Sequence, residues 1–395
     1  MGRKKYNIQK GLWKRLAVVA AAILTAVCFY TISQVERHPL MANEGRSFVK
    51  AEVVSVLEDN EQLEGVYVGD QLVQLRILSG AHKGETVEAT SSSAYLYGAH
   101  CTEGMKVVAI LSESQGEIVA SVYGYNREPM LYLMIGLFLM IIWLIGGRQG
   151  LYSILGLAFT FICIFSFFLP MVYRGFSPVA AAVIVVIAST LVTMYLVAGI
   201  SVKATAAVIG TVMGVLVAGI IALVFGRLCH VTGYNVSDIE NLIYVQEHDG
   251  IQVGELLFAG ILIAALGAVM DVSMSISSTL QEIHDKNPGL TGRQLFYSGM
   301  TVGRDMMGTM SNTLILAFAG GSINTLVLFY AYAYSYTQII NMYDIAIEIM
   351  QGVSASLGVV LTVPFVSAVA AWMLSHAADR PCRNGRETPD GAGDA

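Results

Sequence analysis

Residues 256–280 read LLFAGILIAALGAVMDVSMSISSTL, a long apolar run that contains one carboxylate, Asp271. About 20 consecutive apolar residues are enough for an α-helix to cross a bilayer core of about 30 Å. The run therefore predicts a transmembrane helix and decides the fold class. A carboxylate inside such a helix costs about 2.5–3.5 kcal/mol on insertion scales, so Asp271 needs an explanation.

The composition extends this prediction to the whole chain. Of its 395 residues, 55% are hydrophobic and only 13% are charged, with a mean hydropathy of +0.62, whereas soluble domains carry about 25% charged residues. Basic residues cluster only within the first fifteen positions, which argues against nucleic-acid binding. The five cysteines show no metal-ligand spacing. We therefore predict a mainly α, polytopic membrane protein whose partner is the lipid bilayer, without nucleic acid, cofactor or metal.

Hydropathy predicts eight transmembrane segments, at residues 16–32, 131–147, 150–170, 178–199, 204–226, 253–281, 311–332 and 353–375. Lys and Arg concentrate in alternate loops, so the positive-inside rule places both termini in the cytoplasm of a plasma-membrane protein. The expected organisation is a basic N-terminus (1–15), an anchor (16–32), an extracytoplasmic domain (33–129), a seven-helix membrane domain (130–376) and a disordered cytoplasmic tail (377–395).

Residues 48–126 have the composition of a soluble β-domain. In LVQLRIL (72–78), apolar residues alternate with Gln74 and Arg76, which is typical of a half-buried strand. About five such strands predict a small all-β closed barrel of OB type; a small sandwich is the alternative that this pattern leaves open. No residue pattern in this domain indicates catalysis, so we expect it to bind, brace or assemble.

The second half of the chain contains an approximate repeat. DVSMSISSTL (271–280) and DMMGTMSNTL (305–314) align without gaps, and each begins with an acid. On a helix, the acid and the polar residues that follow it share one face. The candidate ion- or substrate-binding residues are Asp271, Ser275, Ser278, Asp305, Thr309, Asn312 and Thr313. Gly260 and Gly267 extend the first stripe and favour the close approach of another helix.

Consecutive spans run antiparallel, so we expect the two stripes to face each other. Counted from Leu256, Asp271 lies about 22 Å along its span, in the cytoplasmic half; Asp305 precedes its span and is expected nearer the cytoplasmic interface. Carboxylate, hydroxyl and amide oxygens suit a proton or a hard cation such as Na⁺ or Mg²⁺. The structural alternative is that the Ser and Thr side chains bond within the helices and that the acids reach the membrane edge.

Three functions fit these patterns. The leading hypothesis is a non-enzymatic secondary transporter or permease of a small ion or molecule, with the paired acids as coupling site. One alternative is a scaffold or envelope-stress protein that binds a membrane protein partner or forms a homo-oligomer. The other is an intramembrane aspartyl enzyme, disfavoured because Met270-Asp271 and Gly303-Arg304-Asp305 replace the usual Tyr-Asp and Gly-x-Gly-Asp.

Smaller features each have two interpretations. We expect Thr291 to cap a short cytoplasmic helix that reaches Tyr297, with a re-entrant hairpin as the alternative. The pair Gly320-Gly321 favours close helix packing over a broken helix. Cys101 and Cys229 would either form a disulfide or remain free thiols. The loop cluster of His230, Glu247, His248 and Asp249 favours a solvated loop over a zinc site.

The stretches GAVMDVSMSISSTLQEI (267–283), NPGLTGRQLFYSGMTVGRDMMGTMSNTLILAFAG (287–320) and SGAHKGETVE (79–88) resemble the YibE/F-like family of bacterial membrane proteins. The resemblance implies a multi-pass plasma-membrane protein of a Gram-positive-type bacterium, and its motif includes the positions of Asp271, Asp305, Thr309, Asn312 and Thr313. It implies no established reaction, substrate or cofactor.

Overall fold

A computed structural model describes the chain outside residues 1–16, 32–33, 35–44, 64–65, 68, 93–97, 115–116, 237–238 and 379–395. The basic N-terminus and nearly all of the tail expected at 377–395 therefore lie outside the described residues. The chain divides into two compact units. One falls within Pro39–Leu144, and the other comprises Met1–His38 and Ile145–Ala395.

The first of these units contains seven described strands: β1 (Arg46–Glu58), β2 (Glu61–Leu63), β3 (Val66–Tyr67), β4 (Asp70–Ile77), β5 (Thr86–Ser92), β6 (Lys106–Ser114) and β7 (Glu117–Tyr125). Five of them form a closed barrel with the strand order β1-β4-β5-β7-β6. Neighbouring strands of the barrel are antiparallel except β5 and β7, which are parallel. The pair β2 and β3 forms a separate hairpin. The predicted closed barrel is thus confirmed, and the sandwich alternative is excluded.

The barrel core follows the alternation of the sequence. Val73, Leu75 and Ile77 of β4 point inward and are almost completely buried. Gln71 is also buried, and its amide is satisfied: the Cys101 backbone N–H donates to its Oε1 at 2.6 Å, and its Nε2 donates to Asp59 Oδ1 at 2.9 Å. This pairing removes the cost of burying a polar side chain.

The disulfide considered from the sequence is absent from the described residues, because Cys101 and Cys229 are both free thiols. Cys101 is buried in the barrel, and burial raises the pKa of its thiol. A thiol with a raised pKa carries little thiolate and reacts slowly. Cys101 therefore contributes to the barrel core as a small apolar group.

The remaining described elements are helical. They are α1 (Ala17–Thr31), α2 (Glu128–Cys163), a π-helical segment (Ile164–Phe168), α3 (Leu169–Tyr173), α4 (Pro178–Ala198), α5 (Val202–Leu228), α6 (Ile239–Asp249), α7 (Val253–Lys286), α8 (Gly292–Gly321), α9 (Ile323–Ala331), α10 (Tyr336–Ile340) and α11 (Tyr343–Ala378).

Five helical segments among the described residues are long and apolar enough to cross a membrane. They are Glu128–Tyr173, Pro178–Ala198, Val202–Leu228, Val253–Lys286 and Tyr343–His376. The pair α8 and α9, bent by 60°, would be a sixth, and α1 is apolar but shorter. Within α2, Gly147 has a non-helical backbone (φ 52°, ψ −127°), which separates the spans predicted at 131–147 and 150–170. The number of eight spans stays a prediction.

Helix α8 differs from its expected form. Thr291 does cap a helix, in a capping box with Gln294: the Gln294 N–H donates to Thr291 Oγ1, and the Thr291 N–H donates to Gln294 Oε1. The helix does not end near Tyr297, however, but continues to Gly321 as one element of 30 residues. The separate coupling helix is therefore wrong, and residues 292–310 belong to the helix that carries the second repeat.

Helix α11 packs against α5, α7 and α8 in the unit that comprises Met1–His38 and Ile145–Ala395, here called the membrane unit. Glycines make these contacts close. A Cβ atom built on Gly214 of α5 would lie 1.7 Å from Thr362 Oγ1, and one on Gly303 of α8 would lie 2.1 Å from Val363 Cγ1. Small residues let membrane helices approach in this way. The contact of α7 with α8 is less extensive than the contact of either helix with α11.

Candidate functional site

A cavity of about 480 Å³ lies between α2, α4 and α7 in the membrane unit. Its walls are mainly aliphatic and thioether side chains, with four polar side chains among them, and no Lys, Arg or His lines it. The lining residues are Ser153, Gly156, Leu157, Thr160, Val185, Thr193, Met194, Val197, Ile263, Ala264, Leu266, Gly267, Met270, Asp271 and Met274. Asp271 is therefore the one charged group of this lining.

The placement of Asp271 follows from the apolar pattern of α7. Val269, Val272 and Ile276 are buried against the bundle, which turns Asp271 and Gly267 toward the cavity. The expectation that Gly260 and Gly267 bring a second helix close is wrong, because nothing lies within 4 Å of a Cβ built on either one. At Gly267 the missing side chain widens the cavity beside the carboxylate.

Three hydroxyl groups lie on the same cavity. Thr160 Oγ1 donates to the Gly156 carbonyl at 3.1 Å, and Ser153 Oγ donates to the Gln149 carbonyl at 3.2 Å. Thr193 Oγ1 is buried and has no partner among the described residues. A buried hydroxyl without a partner is costly, and Thr193 carries that cost at the wall of the cavity.

The serines of the first repeat do not line this cavity. Ser275 and Ser278 are half-buried; the Ser275 carbonyl accepts from Thr279 Oγ1 at 2.8 Å, and Ser278 Oγ contacts Met274 Sδ at 3.6 Å. The fully buried hydroxyls of α7 belong instead to Ser273 and Ser277.

The second repeat lies on the outer surface of α8. Asp305, Thr309, Asn312 and Thr313 are all exposed. Thr309 Oγ1 donates to the Asp305 carbonyl at 3.1 Å, and Thr313 Oγ1 donates to the Thr309 carbonyl at 2.9 Å, which is how such side chains are satisfied inside one helix. None of these four residues lines the Asp271 cavity. The structure thus brings Asp271 to a cavity and does not bring Asp305 to it.

The two acids nevertheless lie at a similar depth in the helix bundle. Gly303, two residues before Asp305, packs on Val363, and the adjacent Thr362 packs on Gly214. The side chain of Val269, two residues before Asp271, also approaches Gly214. These contacts place the acids at the same level to within about one helical turn, ~5 Å. Asp305 therefore lies at about the level of Asp271 along the bundle, and its place near the cytoplasmic interface stays a prediction.

The cavity wall that faces Asp271 was not predicted from the sequence. A Cβ atom on Gly156 would lie 2.9 Å from the Thr193 side chain, so the glycine makes room for that threonine. A signal was present in the sequence, because Ser153, Gly156 and Thr160 fall at i, i+3 and i+7 and so share one helix face. Nothing comparable marks Thr193, which follows an apolar run in α4.

The loop cluster considered for zinc does not form a metal site in the structure. Among the described residues, no group of three His, Cys, Asp or Glu side chains could hold a metal ion. His248 Nδ1 contacts the Tyr244 carbonyl at 2.9 Å, and the two rings stack. Tyr244 thus orients this histidine through its carbonyl and its ring.

Several long apolar helices and a small barrel define the class of this chain: it is a multi-pass membrane protein with an N-terminal β-domain. The chain belongs to the YibE/F-like protein family, whose model matches residues 134–376. The resemblance carried by 267–283 and 287–320 is thereby confirmed, whereas 79–88 lies outside the matched range. No curated protein and no solved structure matches the chain.

Proposed function

We propose that the chain is a secondary transporter of the plasma membrane whose coupling or substrate site is the Asp271 cavity. The observation that carries this proposal is a carboxylate exposed on the wall of a largely apolar cavity whose lining holds no cation. Ionisable side chains within membrane spans usually mark ion or substrate pathways. A carboxylate in such a place binds a proton or a cation reversibly, which is the property that coupling requires.

The volume and the walls of the cavity also limit the size and the chemistry of the substrate. About 480 Å³ falls within the range of small-molecule sites, about 300–1,000 Å³. Its walls combine one acid, three hydroxyl groups and the thioethers of Met194, Met270 and Met274. These walls suit a small cation that carries apolar groups, with Asp271 as its counter-charge or as the carrier of an exchanged proton.

A transport assay tests the role of Asp271. Proteoliposomes containing the full chain and a trapped pH-sensitive dye are exposed to a panel of Na⁺, K⁺, Mg²⁺ and small organic ammonium ions. We expect at least one compound to drive proton movement in the wild type, and Asp271→Asn to reduce the initial rate at least tenfold. The matched control is Asp285→Asn, because Asp285 lies on the same helix, accepts from Gln281 and does not line the cavity. Wild-type rates in Asp271→Asn would overturn the proposal.

The transporter hypothesis drawn from the sequence uses Asp271 and Asp305 together as one coupling site. Asp271 lines the cavity, whereas Asp305 lies on the exposed side of α8. We therefore propose Asp271 as the coupling group and keep Asp305 as a second candidate. Asp305→Asn in the same assay separates the two versions. A loss of flux in both variants supports the paired version, whereas a loss in Asp271→Asn alone supports a single coupling acid. The aspartyl enzyme needs both carboxylates at one site, so this arrangement gives it no support.

One observation favours the scaffold alternative. Phe48 and Tyr123 lie on the outside of the barrel, 58% and 51% exposed, with their rings edge to face at 5.4 Å. Exposed aromatic pairs are typical of protein interfaces. Deletion of residues 48–126 distinguishes the two functions, since a transporter keeps some flux and a scaffold loses its partner. Phe48→Ser with Tyr123→Ser is the milder version of this test.

A further inference from the structure

One face of α8 is polar at its centre and is left uncovered by the described residues of the chain. Asp305, Thr309, Asn312, Leu316 and Gly320 follow one another at spacings of four, three, four and four residues and therefore share one side of the helix. All five are exposed, while the opposite side of α8 packs against α11. We call this set the α8 outer face.

The depth of this face makes its exposure costly. The glycine contacts with α11 and α5 place Asp305 at the level of Asp271, and Thr309, Asn312 and Leu316 follow along α8. If α8 crosses the membrane, as the proposed function requires, a carboxylate and an amide would meet lipid hydrocarbon. Membrane helices turn such groups toward protein or a water-filled cavity. Another molecule must therefore cover the α8 outer face.

The chemistry of the face is self-complementary. Arg304 and Asp305 are adjacent and exposed, and neither forms an ion pair among the described residues. A two-fold axis along the membrane normal makes two copies of α8 parallel, so that Arg304 of each copy comes near Asp305 of the other. Asn312 would meet its own counterpart, and a carboxamide both donates and accepts hydrogen bonds.

The face also permits a close approach. Nothing lies within 4 Å of a Cβ built on Gly308 or Gly320, so the backbone of another helix can reach α8 at both positions. We propose that the α8 outer face is the contact between two copies of this chain, with the Arg304–Asp305 exchange and the Asn312 pair at its centre. The Asp271 cavity is then a separate site in each copy.

Disulfide cross-linking in native membranes tests the contact. Cys28, Cys101, Cys163, Cys229 and Cys382 are first replaced in the full chain. We expect Asn312→Cys to form a dimer of twice the chain mass under mild oxidation, at least tenfold more than Ile220→Cys. Ile220 is a matched control, because it is 60% exposed on an apolar part of α5. Equal cross-linking at both positions, or cross-linking of Asn312→Cys to a different protein, would overturn the proposal.

A second measurement does not depend on cysteine chemistry. Subunit counting by single-molecule photobleaching in lipid bilayers should give two copies for the wild type and mostly one for Asn312→Leu, with at least a tenfold weaker dimer. Thermal melting of the purified variant shows whether it is folded. A monomeric wild type would refute the dimer. A fully dimeric, folded Asn312→Leu would also refute it. Flux through the Asp271 cavity is measured separately, so failure of the dimer and failure of the transporter can be told apart.

Discussion

Glycines of neighbouring helices have opposite surroundings in the membrane unit. Gly214 of α5 meets Thr362 and Val269, so no side chain fits there, whereas Gly267 of α7 borders an open cavity. Both glycines are helical, and both occur in apolar spans where sequence alone suggests close packing. Only the side chains of neighbouring helices distinguish the two glycines, which explains why the expectation for Gly267 was wrong.

This contrast gives a matched pair of substitutions. In Gly214→Ala, the added methyl group clashes with the side chains of Thr362 and Val269. Overpacking of this kind costs about 1–3 kcal/mol of folding free energy. Gly267→Ala meets no obstacle and should be neutral or stabilising by about 0.5–1 kcal/mol, because alanine is the better helix former. Thermal unfolding of both variants in detergent measures the difference. Equal melting temperatures would contradict the close packing of α5 on α11.

The Asp271 site could be predicted only in part from its residues. The acid was recognisable because a carboxylate interrupts an apolar run. Its partners were not, because the pattern within α7 says nothing of which helix faces Asp271. Thr193 and Gly156 come from helices distant in sequence, and their position depends on the approach of α2 to α4 at Gly156 and on the packing of α4 on α7.

At the scale of elements, a histidine ties the β4–β5 loop to strand β6. His82 Nδ1 lies 3.0 Å from Glu85 Oε2, and its Nε2 lies 2.7 Å from Glu113 Oε1. The hydrogen bond to Glu113 is the main cause that raises the pKa of His82, and Glu85 adds to it. Because the folded state binds the proton more tightly, this contribution to stability is fully present below the unfolded pKa of about 6.5. It is lost as the pH rises through the folded pKa.

Removing one carboxylate tests this tie. Glu113→Gln should lower the pKa of His82 toward its ordinary value. It should also weaken the attachment of the β4–β5 loop to β6, more at pH 6 than at pH 8. Glu85→Gln should have the same direction and a smaller effect. NMR titration of labelled histidines in the full chain, with His82→Asn to assign the signal, measures both. An unchanged His82 titration in Glu113→Gln would show that Glu113 does not set the pKa.

The beginning of α8 was predictable, and its length was not. Thr291 and Gln294 form the expected cap, since this signal is local in sequence. Residues 292–310 carry Arg293, Arg304 and Asp305, which a hydropathy window excludes from a span. The helix continues regardless, because Leu295, Gly299 and Gly303 are buried on its inner side. Tertiary contacts therefore favour the continuation of this helix beyond Tyr297.

For the whole molecule, the proposed topology has both termini in the cytoplasm and the barrel outside. A reporter active only outside the membrane should work when inserted after Gly104, in the barrel, and should be silent after Pro288. A reporter active only in the cytoplasm should give the reverse pattern. The same signal from both positions would contradict the orientation that the Lys and Arg distribution predicts.

For the whole molecule, the class of protein was easier to predict from the sequence than the packing of its helices. Low charge and long apolar runs were enough for a membrane protein, and period-two alternation was enough for a small β-domain but not to distinguish a barrel from a sandwich. The packing of α7 and α8 was not predictable, because their order in the chain suggested direct contact. Instead, the extensive contacts run from α11 to each of them, through glycines such as Gly303 whose role depends on the partner.

Helix α11 contains a proline, Pro364, two residues beyond the contact of Thr362 with Gly214. Proline removes one backbone hydrogen bond from a helix and lets it bend at that point. Since α11 touches both α7 and α8, a change in that bend would displace the acid-bearing segments on its two sides at once. Pro364 would then couple the positions of the two acids through a single helix.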